Sequence, residues 1–347
     1  MSKLKIFDAT LRDGSHAIKH QLTKEQIRDY CQAMDDAGMD AIIVGHGNGL
    51  GASSLQVGLS RLTDRELLST ARKYLHQTKL GAYMIPGFGT IRDQLIPAIE
   101  EGVEVFKIGC HCTEADTTKS HIEYLAKNGK EVYGILMMYH MASPEKLLEE
   151  TRKMQSYGAK GIILMDSAGA STIEMVKRTI STLYNGLDIR VGFHSHNNLG
   201  LAVATMYTAI KEGASIIDGT LSGFGAGAGN CQLEALVALL QKCEIQTEAD
   251  LYKMLDCADN VMPGLMGHNA SPDPVSIVSG QAGVFSAFKV HVLRAAKNFG
   301  VDPRDIFREV GRRKAVGGQE DIIVEVAQDL KRKQELSKED YHIESLL

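Results

Sequence analysis

Several features are missing from this 347-residue sequence, and each absence narrows the possibilities. No apolar run approaches the roughly 18–20 residues that a spanning helix needs, so no membrane span is expected. No basic block stands out. The 38 lysines and arginines are interspersed with 43 acidic residues, giving a formal net charge of −5. That pattern argues against a nucleic-acid or anionic-membrane partner. The opening stretch MSKLKIFDAT lacks the apolar segment of a secretory signal and runs directly into a strand pattern. The six cysteines are scattered without framework spacing. Reduced thiols and a cytoplasmic location are therefore expected. Proline is also sparse, and three of the seven prolines, Pro263, Pro272 and Pro274, fall together in MPGLMGHNASPDP.

What is present is an alternation of element type. Short β-rich runs recur near 4–9, 41–45, 80–85, 104–110, 131–138, 161–166, 190–196 and 216–221. Between them lie stretches with helical spacing, such as Thr23–Gly38, Pro144–Gly158 and Asn198–Gly213, several ending on the glycine that stops a helix. Eight such repeats predict an α/β fold of the (β/α)8 barrel type, with a doubly wound open sheet as the rival. The near-continuous apolar character of the runs suits strands buried on both faces. After the proline cluster the pattern changes to helices near 281–299, 303–313 and 320–336. The chain thus divides into a barrel, 1–262, and a C-terminal helical extension, 263–347. The polar tail LSKEDYHIESLL receives no assignment.

In a barrel, function gathers at the C-terminal ends of the strands. Polar residues collect there: Arg12, Asp13 and His16 after strand 1, His46 after strand 2, His111 after strand 4 and His140 after strand 5. Asp166 and Ser167 follow strand 6, and His194 and His196 sit on strand 7. Taken singly, each histidine is more readily a structural residue than a ligand. His194 and His196, however, are two apart on a strand and project to one side. With Asp13 they make a two-histidine, one-carboxylate set suited to a divalent ion such as Mn²⁺, Co²⁺ or Mg²⁺ with open positions. The absence of thiolate ligands argues against structural zinc. In Cys110-His111-Cys112 a strand would turn the thiols one way and the imidazole the other. Lys107 inside strand 4 reads as a structural ion pair or, alternatively, a Schiff-base lysine. The glycine loop Gly223–Asn230, GFGAGAGN, lies too late in the chain for a dinucleotide fingerprint. It either binds a carboxylate or permits close packing.

Together TLRDG, HSHNN and GFGAGAGN resemble the metallolyase barrels that include isopropylmalate synthase and hydroxymethylglutaryl-CoA lyase. The stretches TLRDGSHAIKHQ, HGNGLGASS, HCTEAD, DSAGA, GAGAGN and VGGQEDIIVEVA make the chain similar, more specifically, to the 4-hydroxy-2-oxovalerate aldolases of aromatic meta-cleavage pathways. That resemblance implies a divalent metal, usually Mn²⁺, on Asp13, His194 and His196. It implies an arginine, Arg12, that polarises the pyruvate oxygen, a base, His16, and a serine, Ser167, that helps hold pyruvate. It further implies retro-aldol cleavage of a 4-hydroxy-2-oxo acid to pyruvate and an aldehyde, and pairing with an acylating aldehyde dehydrogenase subunit, with the C-terminal region 263–347 as the docking element. The chain departs from the family pattern at Phe285, where a tyrosine lines the aldehyde pocket, and at Tyr83, where leucine is usual. Ile43 and Asn48 stand in place of acidic residues, and Asn197 in place of a histidine. These departures concern the aldehyde half of the substrate. A Claisen-type acyl-CoA enzyme on the same barrel, a paralogue with a different aldehyde, and a non-catalytic partner subunit are the competing readings.

Overall fold

A computed structural model describes residues 3–267 and 269–344, with side chains as far as Leu336. Eight parallel strands close into a barrel in sequence order. They are β1 Lys5–Asp8, β2 Ala41–Ile43, β3 Lys79–Met84, β4 Val105–His111, β5 Glu131–Met137, β6 Gly161–Asp166, β7 Arg190–Ser195 and β8 Ile216–Gly219. β8 returns to β1 with Lys5 opposite Ile216 and Phe7 opposite Asp218.

The two-residue period of the strands separates two cores. Outward residues such as Ile6, Ile42, Phe106, Ile108, Ile162, Leu164 and Phe193 pack against the surrounding helices. Inward residues form a second cluster built from Phe7, Ala41, Ile43, Tyr83, Val105, Tyr133, Ile135, Ile163, Met165 and Ile216. At the N-terminal end this plug is closed by charge: Glu131 takes Lys5 and Lys79 and accepts from the Tyr133 hydroxyl. Helix starts follow their local chemistry. Thr23 with Gln26, and Thr63 with Glu66, form reciprocal capping boxes at Lys24–Met34 and Asp64–Arg72.

The C-terminal helices Pro274–Gln281, Lys289–Phe299, Pro303–Arg312 and Asp321–Glu344 enclose a core of their own, including Val284, Phe288, Val292, Ile306, Phe307, Val310, Ile323 and Val326. Of the helix expected over 281–299, only Lys289–Phe299 forms. A separate helix, Pro274–Gln281, lies before it, its start capped by the Asp273 carboxylate on the Val275 and Ser276 amides, and the chain passes through Gly283 at φ 66° and a short 3-10 turn, Ser286–Phe288, between the two. The last helix runs through most of the unassigned tail; residues 345–347 lie outside the described residues. Strand ends also move. β8 stops at Gly219, two residues short of the expected end, and β7 stops at Ser195, leaving His196 in an isolated bridge with Asn230. Among the described residues no helix is long and apolar enough to cross a membrane.

Candidate active site

β1 ends earlier than its sequence suggests. Asp8 Oδ1 accepts from the Thr10 backbone and hydroxyl, turning the chain out of the ladder. The Arg12 and Asp13 amides then close on the Ala9 carbonyl, and Gly14–Ala17 forms one helical turn. Arg12, Asp13 and His16 thus sit on a helical turn above the barrel mouth and not on the strand itself. The turn delivers the Asp13 carboxylate inward, where both oxygens are engaged. Arg12 Nη1 donates to Oδ2 at 2.6 Å. The Asn230 side chain donates to Oδ1 at 2.8 Å and the Ala226 amide at 3.1 Å. The glycine loop therefore does bind a carboxylate, and it is the protein's own. A Cβ on Gly225 would lie 1.9 Å from Asn230 Nδ2 and 2.5 Å from Asp13 Oδ1, so only glycine lets the loop close here. Burial would raise the Asp13 carboxyl, yet Arg12 and the two imidazoles hold it well below the usual carboxylate range.

His194 and His196 face this carboxylate. His194 Nε2 lies 4.0 Å from Asp13 Oδ2, and His196 Nε2 lies 3.6 Å from Oδ1. His196 Nδ1 is 2.9 Å from the Asp166 carbonyl, an acceptor only, which places the proton on Nδ1 and turns the Nε2 lone pair to the site. One ligand atom from each of Asp13, His194 and His196 falls within 4.8 Å of the others, and among the described residues no other such group of three occurs. Two ligands at about 2.1 Å from one ion lie on the order of 3–4 Å apart, so these spacings fit a shared cation. Among the described residues His194 Nε2 is buried with no hydrogen-bond partner, as a ligand atom aimed at an ion would be. Burial lowers the His194 pKa, favouring the neutral ligand form.

Arg12 Nη1 also donates to the Gly47 carbonyl at 3.3 Å, while its Nε is buried with no hydrogen-bond partner among the described residues. The guanidinium lies over the Tyr83 ring, 4.9 Å from the centroid, and the Tyr83 hydroxyl reaches only the Met137 sulfur at 3.1 Å. Gly47 separates Arg12 from His16: a Cβ there would lie 2.4 Å from His16 Nε2. His16 packs edge-on against His20, and His20 stacks on His46 with centroids 3.6 Å apart. His46 is fixed by the Asn48 amide and the Gly58 carbonyl. Burial pushes the His16 pKa down to about 4, with Arg12 and His46 adding to it, so the ring is an unprotonated acceptor at neutral pH.

The remaining sequence candidates have partners of their own. Ser167 is buried; its hydroxyl accepts from the Met138 amide, and its carbonyl accepts from the Ser286 amide at 2.8 Å. The Ser286 hydroxyl donates to Asn198 Oδ1. Phe285 packs edge-on against Phe288 in the C-terminal core. His111 pairs with Thr113, and His140 with the Gly283 carbonyl, so neither belongs to the Asp13 group. Lys107 Nζ is 2.7 Å from Asp218 Oδ2 with both side chains inside the barrel, the ion pair and not a free amine. His20, Asp218, Asn198 and Asn230 were not singled out from sequence. Only Asp218 carried a signal, as a charge at an inward position of an apolar strand.

The HMGL-like family model matches residues 3–261, and that of the DmpG-like communication domain matches residues 270–332. The 4-hydroxy-2-oxovalerate aldolase of Pectobacterium atrosepticum is 54% identical over 97% of this chain and 98% of its own. The enzyme of the same name from Spirochaeta aurantia is 50% identical over 94% of this chain and 96% of its own. Among solved structures, hydroxymethylglutaryl-CoA lyase from Pseudomonas aeruginosa superposes with a TM-score of 0.65 at 18% identity, covering 78% of this chain and 95% of that one. That similarity speaks for the fold alone. The barrel is of the HMGL-like class, and the chain belongs to the 4-hydroxy-2-oxovalerate aldolase family.

Proposed function

We propose that this chain is a class II pyruvate aldolase that cleaves 4-hydroxy-2-oxopentanoate, or a similar 4-hydroxy-2-oxo acid, to pyruvate and an aldehyde such as acetaldehyde. The observation that carries the reading is the meeting of the Asp13, His194 and His196 ligand atoms beside an arginine with an unused buried N–H. A divalent ion held there, Mn²⁺ with Co²⁺ or Mg²⁺ as alternatives, supplies Lewis-acid polarisation of the 2-oxo acid. Arg12, paired with Asp13 through Nη1 and with its Nε–H unused among the described residues, opposes the negative charge that develops on the pyruvate half as the C3–C4 bond breaks. Ser167 helps hold pyruvate. His16, unprotonated and a short step from Arg12 across Gly47, accepts the 4-hydroxyl proton. Tyr83 and Phe285 shape the aldehyde half.

The barrel, 1–262, carries the chemistry. The C-terminal region, 263–347, docks an acylating aldehyde dehydrogenase, a reading supported by the communication-domain match. A cytoplasmic location fits the reduced, scattered cysteines. The Claisen-type alternative is not favoured, because full-length relatives at half identity carry the aldolase name. The test is a panel of 4-hydroxy-2-oxo acids with Mn²⁺, read by pyruvate release. Chelation should abolish release, and Mn²⁺ or Co²⁺ should restore it. Full turnover in excess chelator, or condensation of acetyl-CoA without retro-aldol activity, would overturn the proposal.

A further inference from the structure

β7 and β8 pair with His194 directly opposite Asp218. Both side chains point into the barrel, and His194 Nδ1 faces Asp218 Oδ1 at 3.4 Å. Neither atom makes a hydrogen bond to any other group among the described residues. The other Asp218 oxygen is taken by Lys107 Nζ at 2.7 Å, reaching across from β4. Lys107 is itself held over the Phe7 ring, 4.8 Å from the centroid. All three polar side chains are essentially sealed from solvent. Water therefore offers His194 Nδ1 no alternative acceptor, and the Lys107 ammonium, which fixes Oδ2, leaves only Oδ1 to face the ring.

A buried ion pair inside a barrel is a poor choice if stability were its only purpose, because hydrophobic residues of the same volume do as well or better. A carboxylate behind a metal-binding imidazole has a second use. It selects the Nδ1–H tautomer, orients the ring and raises the basicity of Nε2. We propose that Asp218, clamped by Lys107, is a positioning residue for His194: it holds the Nδ1–H tautomer so that the Nε2 lone pair is presented to the divalent ion. This inference rests on the metal reading above. His196 is served by a main-chain carbonyl in the same role. The two histidines thus have different backing, one neutral and one charged.

The decisive variant is Lys107→Met with Asp218→Leu, which removes cation and anion together and leaves no unpaired buried charge. Mn²⁺ binding is titrated by the loss of the free-ion EPR signal in the metal-free full chain, beside wild type and Glu131→Gln. The expected result is Mn²⁺ binding weakened about 10–100-fold in the double variant, the usual effect of losing such a partner, and unchanged in Glu131→Gln. Mn²⁺ binding within twofold of wild type in the folded double variant would overturn the proposal and leave the pair a packing feature. An independent readout needs no variant. In ¹⁵N-histidine-labelled, metal-free wild type, His194 should carry its proton on Nδ1. A proton on Nε2 would overturn the proposal even if the double variant failed to fold. Absence of Mn²⁺ binding by wild type would sink the metal reading itself, a different failure from unchanged binding in the variant.

Discussion

The barrel carries ionic groups at both ends, and they are built differently. At the N-terminal end Glu131 shares Lys5 and Lys79, with side chains 20% to 42% exposed. At the C-terminal end Arg12 and Asp13 are each 3% exposed, and Lys107 and Asp218 2% and 0%. Water solvates the first cluster, so its charges cost little to place and contribute little when paired. The second gives up that solvation at a cost of several kcal/mol per ion before pairing, and the apolar plug between the two ends shows that this interior could have been filled without charge. One end is closed with ions for convenience. The other keeps Arg12, Asp13, Lys107 and Asp218 where ions are expensive, and these four lie at or behind the residues proposed to hold the metal.

Substitutions can test that contrast. The largest effect is expected from Arg12→Ala, which should lower kcat by ~10³-fold by removing a fixed donor from developing charge. Arg12→Lys should not restore it, since a point charge cannot keep Asp13, Gly47 and the substrate in one fork. Retention of half the wild-type kcat in steady-state assays would remove Arg12 from the chemistry. His16→Ala should cost ~10²-fold or more. With the His16 pKa near 4, protonation removes the base only as pH falls through about 4, so at saturating Mn²⁺ its acid limb in kcat/KM should lie there. A limb at the ordinary imidazole value would show a ring open to water in the working enzyme.

Tyr83→Leu combined with Phe285→Tyr should shift relative kcat/KM among acetaldehyde, propanal and larger aldehydes, by ~1–3 kcal/mol for each methylene-sized change in fit. Pyruvate KM should move little. Because Tyr83 underlies Arg12, a pyruvate effect in Tyr83→Leu alone would show that the ring acts through the guanidinium. The smallest effect belongs to the other end. Glu131→Gln should leave kcat unchanged and cost about 1 kcal/mol of stability at neutral pH. The Glu131 carboxyl, which burial would raise, is held down to about 2 by Lys79 and Lys5. Its contribution is therefore present above the ordinary glutamate value and lost as pH falls toward 2. The melting temperatures of wild type and variant should converge over that window.

Much of this was legible in the sequence because it is local. Near-continuous apolar runs and glycine stops give the eight repeats, and the two-residue spacing of His194 and His196 puts both imidazoles on one side. What escaped is contact between distant segments. Asp13 finds Ala226 and Asn230 more than 200 residues away, and no periodicity reports that the glycine loop closes on a carboxylate. His20 is missed for a related reason: it sits at φ 62°, a backbone state that brings its ring back over His46 and that no local pattern announces. The helix expected over 281–299 starts only at Lys289, after Gly283 takes a left-handed backbone at φ 66°.

Ser286 has a consequence for engineering. Its amide and hydroxyl both cross from the C-terminal helices to the barrel, one to the Ser167 carbonyl and one to Asn198. The residue before it, Phe285, packs with the helical core. Swapping the C-terminal helices between relatives is thus not an exchange of independent cassettes. A graft junction placed before residue 286 imports a foreign clamp onto the backbone of Ser167, the serine proposed to hold pyruvate, whereas one placed after it splits Phe285 from Phe288. Chimeras will keep their aldolase parent's pyruvate affinity only when the segment around Ser286 travels with the barrel it grips.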